Sequence, residues 1–450
     1  MTANKFFIIS LLKKKSTYAT LLLSFTLVLF GSSITMAQTK KSKHRIIAVN
    51  AAEISTATNS KAIINVTIIN GLGGEPLTDG CVLIKGGIIQ QVGKMGDVSI
   101  PAAAEITDAR GMYLLPGFID SHFHLDRTTG LPATFLQHGV TSIRDPGAWI
   151  ESYDEERKSG KMIPRLFLTG PHFDMPPPAY PYDAYIVRDN YEAIQQANAL
   201  ADQGATALKI YFRVPPGMIQ AICSTAHQRG ISITAHLEIT EAMIAIEAGL
   251  DGVEHITSFG LSLLPKREGE KYRQGMLADN NFRKPGRYNM WKDININSAA
   301  ADSLSRYLVR KGTFVSPTLG PFEYQAGNGP VDSAKLSGFN NMKAMTAKFN
   351  KAGVRLVLGS HSMIPYAEEG WAYQREMELW VESGIPNTRV IMGATIENAR
   401  YFRIDDRLGS IEKGKIADIV LIKGNPLVDI KAMRDIEKVM LNGVWVASGE

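Results

Sequence analysis

The sequence predicts an α/β protein, a (β/α)8 TIM-like barrel with a small β-sandwich domain that both terminal segments form. Two observations favour this fold. The middle of the chain alternates short apolar runs with helical stretches, and the segments on either side of it contain strand patterns only. The 450 residues suffice for one barrel of about 250 residues and a smaller domain. A hydrophobic content of 45% and a charged content of 21% are typical of an ordinary globular protein.

The first 37 residues have the order of a secretory signal peptide. Three lysines, Lys13 to Lys15, precede an apolar run over residues 19–30, and small residues follow as far as Ala37. The apolar run is short for a membrane span, so a retained anchor is the lesser interpretation. We therefore expect cleavage after Ala37, a basic tail or linker over 38–59, and an exported protein, periplasmic or secreted, with no stable membrane span.

The basic charge of the chain belongs to its N-terminal segments. Removal of residues 1–37, which carry four lysines and no acid, lowers the formal net charge from +5 to +1. Leaving out the four basic residues of the tail as well brings it to −3. This balance gives no argument for nucleic acid binding, and we expect a small-molecule partner. A homo-oligomer stays open. A disulfide between Cys81 and Cys223 is compatible with an oxidising compartment but is not indicated, since the two residues fall in different predicted domains.

The flanking segments, 60–115 and 408–450, predict the two parts of the β-sandwich. Both contain short β-rich runs between turn signals, and the last run is a strand pair around an Asn-Gly turn. The predicted strands lie at 63–69, 81–89, 112–115, 418–423 and 439–446. Because the runs of both ends are of one kind, we expect them to build one domain.

Residues 116–407 predict the barrel. Helical stretches such as 190–203 and 240–249 lie between eight apolar runs, which is the count that a (β/α)8 barrel requires. The eight predicted strands are 116–122, 140–145, 165–169, 207–212, 232–236, 252–256, 313–318 and 355–361.

Two long connections, 170–188 and 259–298, follow predicted strands and so should lie at the catalytic face of the barrel. The second interleaves basic residues with aromatic ones. It is either an ordinary solvated loop or a cover that offers cationic and aromatic contacts to an anionic or aromatic substrate group. We expect Tyr182, Tyr211 and Arg213 to bind substrate.

Five of the nine histidines end predicted strands. His122 and His124 are spaced i, i+2 and so leave the same face of a strand, where two neutral imidazoles suit zinc. His236, His255 and His361 end later strands and should converge on the same rim. The remaining histidines are expected to be structural or solvated: His44, His138, His172 and His227.

Lys209 lies within the apolar run 207–212. A buried lysine is costly unless it is paired or modified, and as an ammonium it has no lone pair for a metal. The simpler interpretation is a lysine–carboxylate pair inside the barrel.

In combination these segments resemble the amidohydrolase superfamily, in the branch near imidazolonepropionase-like proteins and metal-dependent dipeptidases. The matching segments are 115–124, 139–145, 393–399 and 409–418, with Lys209, His236 and His255 in the order of the family. The resemblance implies a barrel with a flanking β-sandwich and one or two divalent metal ions, with zinc favoured. It further implies that His122 and His124 bind one metal, that His236 and His255 bind the other, and that a carbamylated Lys209 bridges them.

The chain departs from this family at the last strand. The family usually places an aspartate there, as metal ligand and general base, whereas this chain has Gly359-Ser360-His361. An imidazole can ligate a metal or accept a proton, so His361 is the expected catalytic residue. Glu238 and Asp126, in phase with His236 and His124, are alternative bases.

The sequence thus predicts an exported metal-dependent hydrolase, in which a metal-activated water attacks an amide-like carbonyl of a non-standard peptide or cyclic amide. Two alternatives stay open. The same site could hydrolyse lactones or organophosphate esters, or the chain could be a non-catalytic binding protein whose site decayed when His361 replaced the usual aspartate.

Overall fold

The structure is a computed structural model that describes residues 45–50, 59–125, 131–327 and 329–446. The predicted signal peptide, most of the basic tail and Asp126 lie outside the described residues. Within the described part of the chain, no helix is long and apolar enough to cross a bilayer.

The described residues form 18 β-strands and 13 α-helices. The strands are β1 (Ser60–Ile68), β2 (Leu77–Lys85), β3 (Ile88–Lys94), β4 (Glu105–Asp108), β5 (Tyr113–Pro116), β6 (Phe118–Asp120), β7 (Val140–Ile143), β8 (Arg165–Leu166), β9 (His172–Asp174), β10 (Ala184–Ile186), β11 (Ala207–Ile210), β12 (Ser232–His236), β13 (Gly252–Glu254), β14 (Phe314–Ser316), β15 (Arg355–Leu356), β16 (Ile419–Ile422), β17 (Ile436–Leu441) and β18 (Val444–Trp445). The helices are α1 (Leu131–Gln137), α2 (Asp154–Lys158), α3 (Asn190–Asp202), α4 (Pro216–Gln228), α5 (Ala242–Glu247), α6 (Gly260–Leu263), α7 (Lys266–Ala278), α8 (Arg283–Lys292), α9 (Ala299–Lys311), α10 (Ser333–Ala352), α11 (Ala372–Glu382), α12 (Asn387–Ala394) and α13 (Ile396–Phe402).

Strands from both ends of the chain form one eight-stranded sheet with the order β18-β17-β16-β5-β1-β2-β3, in which β4 pairs with β1. Its strands share an apolar core that includes Ile63, Val82 and Leu421. The hairpin of β17 and β18 turns at Asn442 and Gly443, as predicted from the Asn-Gly pair, and their φ angles of 55° and 75° are those of a type I′ turn. The two termini therefore build one small β domain, as predicted.

Eight parallel strands form the barrel: β6, β7, β8, β11, β12, β13, β14 and β15. Main-chain hydrogen bonds join the two sheets that they form. The Thr206 amide donates to the Leu168 carbonyl at 2.8 Å, and the Ser121 amide donates to the Leu358 carbonyl at 3.1 Å. All eight predicted strands are present, although the last is only Arg355–Leu356. The predicted TIM-like barrel with a terminal β domain is confirmed.

The two long connections contain secondary structure of their own. Residues 170–188 carry the parallel pair β9 and β10, and β9 also pairs with β11 beside the barrel. The second connection folds into α6, α7 and α8, and is called the helical connection (residues 259–298) below. It is therefore neither an extended nor an irregular loop.

A buried ion pair joins the barrel to the terminal sheet. The Arg165 guanidinium donates to both carboxylate oxygens of Asp418, at 2.9 and 3.1 Å. Both side chains are buried, so this bidentate pair has little solvent screening and sets the orientation of β8 against β16.

Candidate metal centre

Five histidines meet at the carboxyl ends of the barrel strands: His122, His124, His236, His255 and His361. The ring centroids of His122 and His255 are 4.6 Å apart, and those of His236 and His255 are 4.5 Å apart. His361 lies 4.7 Å from His124 and 5.1 Å from His122. The strand ends thus bring together all five histidines that the sequence singled out.

His122, His124 and His361 offer nitrogen ligand atoms that all lie within 4.8 Å of one another. The two Nε2 atoms of His122 and His124 are 3.1 Å apart. His361 has a φ of 61°, which is uncommon for a residue with a Cβ, and its amide donates to the His122 carbonyl at 2.6 Å. The backbone is therefore held in a strained form that keeps the third imidazole beside the other two.

Hydrogen bonds from the Nδ1 atoms orient two of the rings. His122 Nδ1 donates to Glu254 Oε2 at 2.8 Å, and His255 Nδ1 donates to Thr318 Oγ1 at 2.5 Å. The Thr318 hydroxyl itself donates to the Pro317 carbonyl, so it accepts from His255. These bonds leave the Nε2 lone pairs free for a metal, which is the usual arrangement of metal-binding histidines.

Three of these imidazoles, those of His122, His236 and His361, are held in the neutral form that binds metals. Burial lowers the pKa of His122 to about 4 and that of His236 to about 3. Burial beside His124 and His122 also lowers the pKa of His361 well below 6.5. Protonation of these imidazoles therefore competes little with metal binding at neutral pH.

Lys209 is 2% exposed, and its Nζ has no hydrogen-bond partner among the described residues. Burial, with a smaller contribution from Arg144, lowers the pKa of this amine to about 8 against the opposing charge of Glu254. The simple lysine–carboxylate hydrogen bond does not form. A buried amine without a partner beside metal-binding histidines is compatible with a modified lysine that binds a divalent metal ion.

Two residues of the centre were not among the sequence candidates. Glu254 is fully buried and binds His122, and His172 on β9 is buried with an Nε2 that lacks a partner in the described chain. The His172 ring lies 4.5 Å from that of Tyr211. The sequence signal for Glu254 is a carboxylate within an apolar strand. His172 was predicted to be structural or solvated, and its sequence signal is a histidine soon after a predicted strand of the barrel.

Glu238, the alternative base, is already engaged. Tyr272 Oη donates to its Oε2 at 2.5 Å, and Arg287 Nε donates to its Oε1 at 2.6 Å. Burial raises the pKa of this carboxyl, but the charge of Arg287 and the bond with His236 outweigh it and bring the value to about 2. Such a carboxylate is a weak proton acceptor. His236 Nε2 lies 3.0 Å from Glu238 Oε1 and 3.0 Å from Arg287 Nη2.

The three expected substrate contacts lie in different surroundings. The Tyr211 ring packs 4.7 Å from the ring of His236 at the floor of the site. Arg213 donates to Asn280 Oδ1 and to the Met276 carbonyl, so it ties the helical connection to the barrel. Tyr182 is 89% exposed. The part of each in substrate binding stays a prediction.

Comparison with known proteins identifies a family whose sequence pattern this chain matches. The profile of the Amidohydrolase family matches residues 113–446. The adenine deaminase of Listeria monocytogenes serovar 1/2a is 42% identical over 83 residues, 18% of this chain and 13% of that protein. The adenine deaminase of Mesorhizobium japonicum is 22% identical over 387 residues, 85% of this chain and 56% of the deaminase. The chain thus spans only part of the length of both deaminases.

Among solved structures, a Xaa-Pro dipeptidase with methionine bound in its active site has the same fold. It superposes with a TM-score of 0.66 and 22% sequence identity, and the match covers 86% of this chain and 99% of the dipeptidase.

Proposed function

The chain belongs to the amidohydrolase family, as its sequence resemblance predicted, and on that premise we propose that it is an exported, metal-dependent hydrolase of amide-like carbon–nitrogen bonds. The observation that carries this proposal is the convergence of five histidines and the unpartnered Lys209 on one rim of the barrel. The adenine deaminases and the Xaa-Pro dipeptidase, which are named for reactions at carbon–nitrogen bonds, support the reaction class.

Two sets of residues would hold metal. His122, His124 and His361 would bind one divalent ion, and His236, His255 and a carbamylated Lys209 would complete a second site. When bound, such ions polarise a carbonyl oxygen and make water nucleophilic at neutral pH. Zinc is the favoured metal because neutral imidazole is its common ligand.

Side chains around the metal ions would position the substrate and the attacking water. Buried His172, whose Nε2 has no partner in the described chain, would donate a hydrogen bond to the oxygen of the scissile carbonyl, where negative charge develops. As a metal ligand, His361 would fix the position of the attacking water, and the proton of that water would pass to the leaving nitrogen. Tyr211 would close one wall of the site, since its ring contacts both His172 and His236.

A substrate panel tests the proposal. Purified protein loaded with zinc is given dipeptides, N-acyl amino acids and cyclic amides, with lactones and an organophosphate ester as the alternative class. We expect turnover of at least one amide and slower or no turnover of the esters. A metal-loaded protein that hydrolyses only esters, or nothing, would overturn the proposal.

A further inference from the structure

Glu238, a buried carboxylate that follows β12, joins a histidine of the metal centre to the helical connection. Its Oε1 lies 3.0 Å from His236 Nε2. From the other side, Tyr272 Oη of α7 donates to its Oε2 at 2.5 Å, and Arg287 Nε of α8 donates to its Oε1 at 2.6 Å. The residue is 2% exposed, so these contacts with the protein, rather than solvent, hold the carboxylate in place.

The contact with Glu238 decides which nitrogen of His236 bears the proton. A carboxylate only accepts hydrogen bonds, so an unprotonated Nε2 at this distance would bring two acceptors face to face. Arg287 Nη2 also lies 3.0 Å from Nε2, but it is paired with Glu238 Oε1 at 2.5 Å. The bond to Glu238 therefore places the proton on Nε2 and leaves the Nδ1 lone pair of His236 for a metal.

The helical connection is incompletely packed on itself. A cavity of about 270 Å³ lies between α7 and α8, and its lining includes Leu264, Tyr272, Phe282 and Met290. Helices that leave such a space between them lose part of the dispersion contacts that a filled interior provides. The bonds of Tyr272 and Arg287 to Glu238 are thus attachments through which each helix is held on the barrel.

We propose that Glu238 is a positioning residue for His236, and that through Glu238 metal binding and the packing of the helical connection on the barrel stabilise each other. This inference rests on the metal centre of the proposed function. A metal ion on Nδ1 draws electron density from the imidazole, which makes Nε2–H a stronger donor to Glu238. The carboxylate is then held where Tyr272 and Arg287 reach it. By reciprocity, packing of the two helices raises the metal affinity by the same factor.

Hydrogen exchange of the zinc-free and the zinc-loaded protein tests the coupling without turnover. We expect zinc to slow exchange in peptides from residues 259–298 by roughly fivefold or more, and to leave peptides of the terminal sheet unchanged. Tyr272→Phe removes only the hydroxyl on Glu238, so it should reduce this protection and weaken zinc binding by roughly fivefold. Tyr288→Phe is the matched control, because its hydroxyl on α8 donates to the Phe322 carbonyl instead, and it should behave as the wild type.

A second measurement needs no variant. The ¹⁵N NMR shifts of histidine-labelled, zinc-free protein report which ring nitrogen is protonated, and we expect the proton of His236 on Nε2. A proton on Nδ1 would overturn the inference. So would unchanged exchange of the helical connection when zinc binds, or wild-type zinc affinity in Tyr272→Phe.

The two proposals fail separately. A protein that hydrolyses amides but shows no zinc-dependent exchange in residues 259–298 removes the coupling and leaves the hydrolase standing. Absence of all turnover removes the hydrolase, while the zinc affinity and the exchange rates still decide the coupling.

Discussion

His122 Nδ1 lies 2.8 Å from Glu254 Oε2, and the two residues are 132 positions apart in the chain. Both side chains are buried, and Thr234 also donates to the carboxylate, at 2.9 Å. Burial raises the pKa of Glu254, but Lys209 and His122 outweigh that effect and bring it to about 2. The carboxylate therefore stays ionised, keeps the proton of His122 on Nδ1 and leaves Nε2 available to a metal.

The first prediction concerns this carboxylate. Glu254→Gln removes the charge that orients the His122 ring, so we expect metal affinity to fall by about 10- to 100-fold. Competition with a fluorescent zinc chelator measures the affinity. Glu268→Gln, an exposed site on α7, is the matched control and should leave the affinity unchanged. Unaltered zinc affinity in Glu254→Gln would show that the carboxylate does not support the ligand.

The second prediction concerns His361. Because its imidazole lies with those of His122 and His124, His361→Ala should lower the zinc content of the purified protein and abolish turnover. Elemental analysis gives the stoichiometry, and His227→Ala, an imidazole bound to Asp251 away from the centre, is the control. His361→Asp separates the remaining alternatives. A loss of activity in this variant supports a working histidine, whereas activity that appears only in this variant supports a decayed site.

The third prediction concerns the pairing of Arg287 with Glu238. Arg287→Met leaves a fully buried carboxylate without its cation, which should lower the free energy of unfolding by about 3–5 kcal/mol. The double variant Arg287→Met, Glu238→Gln should recover a large part of that loss, because the uncompensated charge is gone. Urea unfolding measures both, with Lys271→Met as an exposed control. Equal destabilisation in the single and double variants would contradict the argument.

The fourth prediction concerns pH and Glu376 on α11. This buried carboxylate accepts hydrogen bonds from the Leu319 and Gly320 amides, yet burial raises its pKa from 4.5 to about 7. Between pH 4.5 and about pH 7, Glu376 holds a proton in the folded state that it releases in the unfolded chain. The resulting stabilisation is complete below pH 4.5 and is lost as the pH rises through 7.

Glu376→Gln cannot titrate, so the free energy of unfolding of the wild type relative to this variant should fall by up to about 3 kcal/mol from pH 4.5 to pH 7.5. Urea titrations at several pH values measure the difference, and the exposed Glu369→Gln serves as the control. A difference that is constant with pH would show that Glu376 does not bind a proton in this range.

The sequence by itself determined the barrel, the terminal β domain and five of the clustered histidines. Those features follow from local rules. A strand places i and i+2 on one face, which located His122 and His124, and parallel strands end at one rim, which brought in His236, His255 and His361. The Asn442-Gly443 turn was likewise predicted because its backbone requirement is local.

Only the tertiary structure decided which groups act on those histidines. The bond from His122 to Glu254 and the reach of Arg287 from the helical connection to His236 join residues far apart in sequence. Periodicity reports the face on which a side chain leaves its own element, but not which distant element packs against that face. For the same reason the sequence could not show that the buried Nε2 of His172 and the buried amine of Lys209 lack hydrogen-bond partners in the described chain.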